Sequence, residues 1–200
     1  MAKKTVVVLV FLLCLIFTGL QSCSAADLQR VAILPVSFSH SYVDQDVEAV
    51  ISKALANKFH TPLANIVPVF QIIPKEEVQK GLITEVGAKK IQAFKLDKNL
   101  LKNIAVKTNA DIVIGVEVTQ FWTMQTITFY GDILRETNLA MKVLIYHKPT
   151  EMVTEKKDYD NYAGDEILWG QPEYMADQMI FKLLNKIPDY SGYATPAQDK

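Results

Sequence analysis

The first residues in this chain that could do chemistry are His40, Asp44 and Asp46, which follow an apolar segment at 30–36. In a mainly parallel sheet, the loop after such a strand is where ligand-binding residues are presented. Two carboxylates there could serve a hydrolase as acid and base. The same residues also suit a structural use: Asp44 as a helix N-cap, Asp46 in a first turn facing the helix dipole, and His40 in a solvated loop. The structural use is preferred, and the three remain weak loop-site candidates.

A second acidic run, Asp158-Tyr159-Asp160-Asn161-Tyr162-Ala163-Gly164-Asp165-Glu166, has the carboxylate density of a calcium loop. It places Tyr162 and Ala163 where that loop needs an oxygen ligand and a glycine. A solvated strand end and loop is the better reading. The histidines, His40, His60 and His147, are widely spaced and form no H-x-x-x-H pair, so a zinc hydrolase has little support. Neither G-x-S-x-G nor a glycine-rich phosphate loop occurs. No catalytic residue, cofactor or metal ligand is assigned, and the chain is expected not to be an enzyme. Late aromatics, Trp169, Tyr174, Tyr190 and Tyr193, are partner-binding candidates, because Trp and Tyr dominate interface energetics. For Trp169 and Tyr174, packing on the sheet is the simpler use. Tyr190 and Tyr193 are read as tail residues with no core to join.

The elements that would position these groups follow from the apolar spacing. A strand at 30–36 ends at Pro35. Asp44 caps a helix burying Val47, Val50, Ile51, Ala54, Leu55 and Phe59. A strand at 66–73 precedes a helix opened by Pro74 and stopped by Gly81. A short helix with loops is expected in 83–96. Asp97 caps a helix burying Leu100, Leu101, Ile104 and Ala105 and ending near Asn109, before a third strand at 111–118. Strands at 122–129, 133–147 and 151–158 then form an antiparallel meander, and Pro172 opens a last helix with Met175, Met179, Leu183 and Ile187 on one face. The fold class is α/β (α+β mixed): a three-layer-like sheet with a β-α-β-α-β first half, an antiparallel second half and a carboxyl-terminal helix packed on the sheet.

The amino terminus reads as a targeting segment. Lys3 and Lys4 precede an apolar run from Thr5 to Leu20, and small residues at 22–26 offer an A-x-A-like cleavage site. Leu20-Gln21-Ser22-Cys23 also resembles a bacterial lipobox, with Gln21 bulkier than usual and Cys23 as the residue to be lipidated. Both processing routes stay open. Domain boundaries are placed at 1–25 for the signal peptide, 26–188 for one globular domain and 189–200 for a flexible tail. Cys14 and Cys23 are the chain's two cysteines, so the remaining domain can form no internal disulfide. A formal charge of -1 over 200 residues gives no field to attract nucleic acid.

Val31-Ala32-Ile33-Leu34-Pro35-Val36, a following long helix, an IIPKEEV segment and Asn109-Ala110-Asp111-Ile112-Val113-Ile114-Gly115 together resemble a broad group of bacterial envelope domains. The group includes the TolB amino-terminal domain, the curli secretion-channel lipoproteins and the lipoprotein activators of penicillin-binding proteins. The resemblance covers element order over residues 30–187. The YHKPTEMV turn is similar to the group's Asp-x-x-Thr-Gly-type turn but lacks its glycine. The resemblance implies an exported, non-catalytic accessory domain in the periplasm or at the cell surface, held to membrane only through a lipid anchor. Its partner would be an envelope protein or glycan. The alternatives are an exported hydrolase using the loop carboxylates, or a ring- or pore-forming lipoprotein subunit. A curli-type pore would need lipid-facing strands, for which 127–129 and 139–145 are candidates; Arg135, Glu136 and Lys142 favour an ordinary sheet.

Overall fold

Residues 30–36 are too apolar to alternate between core and water, and the chain buries them inside a sheet. In the computed structural model, which describes residues 28–39, 43–60, 69–165 and 168–190, this segment forms β1 (Gln29–Ile33) and leads past Pro35 into β2 (Ser37–Phe38). Then come α1 (Gln45–His60), β3 (Phe70–Ile72), α2 (Lys75–Val86), α3 (Lys98–Lys107), β4 (Ile112–Ile127), β5 (Ile133–His147), β6 (Met152–Gly164) and α4 (Pro172–Asn185). Cys23, His40 and Tyr193 lie outside the described residues.

The sheet order is β3-β1-β4-β5-β6. β1 pairs in parallel with β3 and β4, and β2 takes over the edge of β4 where β1 stops, with Ser37 opposite Glu117. β4, β5 and β6 form the antiparallel meander. The sheet is therefore mixed and, over the described residues, does not close into a barrel.

Each face of the sheet has its own core. On one face, Val31, Ile112, Ile114, Val116, Leu139, Met141, Val143 and Ile145 meet Val47, Ile51, Leu55 and Phe59 of α1 and Met175, Met179, Ile180 and Leu183 of α4. On the other, Ala32, Val113 and Leu144 meet Val78 and Leu82 of α2, Leu101 and Ile104 of α3, and Phe94 and Leu96 of the intervening loop. This is the mixed three-layer α/β arrangement expected, with the last helix on the sheet. Of residues 139–145, Leu139, Met141, Val143 and Ile145 lie in the first core and Leu144 in the second.

Four local expectations need correction. α2 runs through Gly81 to Val86: Gly81 sits in the helix against α3, where an added Cβ would make only ordinary contacts, 3.4 Å from Thr108 Cγ2 and 3.6 Å from Ile104 Cδ1. The helix ends instead at Gly87, whose φ of 83° suits glycine. The helix expected within 83–96 is replaced by the end of α2, a single 3-10 turn at Ala88–Lys90 and a loop. The strands read separately at 111–118 and 122–129 are one 16-residue strand, β4, with a register shift between Val118 and Gln120 where a break was expected. Last, Tyr190, placed in a tail with no core to join, is 6% exposed and packs its ring 4.9 Å from that of His147. The chain stays packed beyond residue 188 because Ile187 and Tyr190 close the lower edge of the first core.

Candidate functional site

Asp44 Oδ1 accepts from the backbone N–H groups of Asp46 and Val47, both at 3.0 Å, and so caps α1. Asp46 sits in the first turn of that helix. These two carboxylates thus do the work of starting a helix, and they converge with no other described acid or base. The chemistry-bearing residues that do converge nearby were not singled out from sequence. Glu117 of β4 is paired in register with Lys142 of β5, and Lys142 Nζ lies 2.6 Å from Glu117 Oε2. Ser39 donates to Glu117 Oε1 at 2.7 Å, Leu96 N donates to Oε2 at 3.1 Å, and Lys142 Nζ donates to the Leu96 carbonyl at 2.9 Å.

This network lies on the α2–α3 face of the sheet, and Glu117 is 6% exposed. Burial pushes its carboxyl up, but hydrogen bonds from Lys142, Ser39 and Leu96 more than offset this and hold it below its ordinary value. A carboxylate so held is a poor base. Its geometry instead ties three separate pieces of chain, the end of β2, the 91–97 loop and the β4–β5 ladder, to one point. Ser37 adds a second tie, accepting from Phe94 N at 2.9 Å. A single acid inside the apolar run 112–118 was the signal that could have disclosed it.

The acidic run beginning at Asp158 is strand as far as Gly164, and Glu166 lies outside the described residues. β6 continues to Gly164, so its alternation places Asp158 and Asp160 on one face and Tyr159 and Asn161 on the other. Asp158 is engaged by Lys182 of α4 at 2.8 Å, and that hydrogen bond draws its carboxyl below the usual range. The partner-binding candidates Trp169 and Tyr174 do come together: their rings meet edge to face at 5.2 Å, and Trp169 is half exposed. They flank Gly170, whose carbonyl accepts from Thr137 Oγ1 of β5 at 2.7 Å. Elsewhere, a groove of about 530 Å³ runs between α1 and α4, lined by Val50, Ala54, Phe181 and Leu184 with Lys53 and Asp177 among its polar residues.

Among the described residues, exposed large apolar side chains gather on the β4–β5 arm. The first seven residues of β4 are buried, whereas the last six are exposed. Past Val118 the strand continues for about 30 Å, at roughly 3.3 Å per residue, with no described helix above or below most of it. Beyond the bulge the pairing puts Trp122, Met124, Leu134 and Tyr159 on the α2–α3 side of the sheet, where no described helix reaches. Each of the four is between 41% and 56% exposed. On the opposite side the arm is buttressed by the Thr137–Gly170 bond and by Phe121 and Tyr162, which pack on the first core. Thr123 and Thr137 share a further cross-strand hydrogen bond at 3.0 Å.

No family model matches the chain, and no curated protein matches it. Several solved structures are similar to it over most of its length. Lipoprotein GNA1162 from Neisseria meningitidis is 11% identical with a TM-score of 0.45, over 79% of this chain and 99% of that one. A PelC dodecamer from Paraburkholderia phytofirmans is 12% identical with a TM-score of 0.43, over 78% and 86%. The LpoB C-terminal domain from Salmonella enterica is 12% identical with a TM-score of 0.38, over 72% and 90%. The neighbours fall in a bacterial envelope lipoprotein-like fold group, the kind of group that the sequence resembles.

Proposed function

We propose that this chain is an exported, non-catalytic accessory domain of the bacterial cell envelope that binds, or helps to assemble, another envelope component. The observation that carries the proposal is the β4–β5 arm. It is built into the sheet at its base, stiffened by cross-strand hydrogen bonds, and bare on one side over Trp122, Met124, Leu134 and Tyr159. Monomeric proteins seldom leave several large apolar side chains exposed on one side of a sheet, here with Asn138 and Glu136 between them, unless something binds there. Export rests on the basic and apolar leader. The non-catalytic reading draws support from the use made of the polar residues: Asp44 caps a helix, Glu117 and Lys142 neutralise one another, and Asp158 pairs with Lys182.

The test compares two paired variants in the native envelope, reading the size of the protein's assembly after gentle solubilisation. Trp122→Ser with Met124→Ser should release the protein to its free size, whereas Asp44→Ala with Asp46→Ala should leave the assembly as in wild type. Loss of the assembly on changing the two aspartates, with the arm variant still assembled, would overturn the proposal.

A further inference from the structure

The far end of the arm differs from its side. Residues 126–134 read Thr-Ile-Thr-Phe-Tyr-Gly-Asp-Ile-Leu, with Asp132 the one charged residue among them. Ile127, Phe129, Tyr130, Ile133 and Leu134 are 73%, 98%, 89%, 44% and 42% exposed. Ile127 pairs with Ile133 and Thr126 with Leu134, so the two apolar rungs face opposite sides of the ribbon while Phe129 and Tyr130 crown the turn. A tip that is apolar on both faces and at its end is poorly matched to a flat protein surface, which can cover one face. It suits a medium that surrounds it.

The backbone of the turn is prepared for a drier medium. Thr128 N donates to the Asp132 carbonyl at 2.8 Å, Gly131 N to the Thr128 carbonyl at 3.0 Å, and Asp132 N to Thr128 Oγ1 at 3.1 Å. Gly131, with a φ of 88°, permits the tight reversal. The next rungs, Gln125 opposite Arg135 and Met124 opposite Glu136, return to polar and charged groups. The apolar cap is therefore about 10 Å deep, the turn plus two rungs. That depth matches the boundary between headgroups and acyl chains. It also limits insertion, because the outward ladder groups of a two-stranded ribbon must still reach water or headgroups.

From these observations we propose that the β4–β5 tip is a membrane-interface anchor: Ile127, Phe129, Tyr130, Ile133 and Leu134 dip into the headgroup–acyl boundary of a bilayer without crossing it. The sparse charge makes the contact apolar, so it needs no anionic lipid. Because β1 and β4 run parallel, Leu28 lies at the Ile112 end of the sheet and the tip at the opposite end. The inference deepens the accessory-domain reading by naming a lipid surface as one thing the arm meets.

The experiment uses the full chain with Cys14→Ser and Cys23→Ser and one introduced thiol carrying an environment-sensitive fluorophore, at Tyr130→Cys or, as a control at the other end of the sheet, at Met152→Cys. Vesicles are phosphatidylcholine with and without phosphatidylglycerol. The tip label should shift to the blue and gain intensity several-fold with both compositions, and lipid spin labels near the headgroup should quench it more than those at the chain end. Adding Ile127→Ser and Phe129→Ser should abolish the response, and the Met152 label should stay unchanged. A silent tip label, equal responses at both positions, or stronger quenching from the bilayer centre would overturn the inference, as would a blue shift that grows with protein concentration without vesicles and so reports a second copy. A silent tip in a protein whose native assembly still depends on Trp122 and Met124 would sink this inference alone.

Discussion

Glu117 and Lys142 concentrate the energetic risk of the fold in one pair. Removing one partner of a buried pair leaves the other unpaired, so Glu117→Ala should cost about 3 kcal/mol, whereas Glu117→Met with Lys142→Met should be near neutral; urea titration at neutral pH checks both. The folded-state pKa of Glu117 lies below its ordinary value of 4.5, so its contribution is complete above that value and is lost as pH falls through the lower folded pKa. His147 behaves in the same sense in a higher window. Burial lowers its pKa from 6.5 against the opposing charge of Asp111, so acidification below about 6.5 favours the unfolded chain, which takes up the proton more readily. Stability measured between about pH 7 and 5 should fall in wild type and flatten in His147→Gln. Glu151, with φ at 53°, occupies the left-handed conformation that favours glycine. Glu151→Gly should therefore raise stability by about 0.5–1 kcal/mol, the relief of the left-handed strain exceeding the added entropy of the unfolded chain.

Among the elements, those with their own local signals were legible. Asp44 and Asp97 cap α1 and α3 as their positions before apolar-periodic segments suggest, and Asp44→Ala should lower stability by about 1 kcal/mol in thermal or urea unfolding. Pro172 opens α4, and alternation places Leu139, Met141, Val143 and Ile145 in one core. What was not legible depended on distant partners. Gly81 reads as a stop until α3 is seen to pack against it, and the two halves of β4 read as separate strands because the bulge at Val118 and Gln120 switches which residues face the core. Glu117 and Lys142 are far apart in the chain and become one site only through the β4–β5 register. The tip carries no core residue, so replacing residues 127–133 by a two-residue Asn-Gly turn should leave the unfolding midpoint within a few degrees of wild type.

At the scale of the whole molecule, a three-layer base holds a long two- to three-stranded arm whose side and tip are apolar and whose polar residues are mostly spent on structure. That division of labour is the reason for reading the domain as a binding accessory. The most direct measurement is site-specific photocrosslinking in the living cell from a photoreactive residue in place of Trp122, with Asp44 as the comparison site. The account predicts a defined adduct with an envelope component from Trp122 and none from Asp44. A defined adduct from the Asp44 loop, with Trp122 silent, would contradict it.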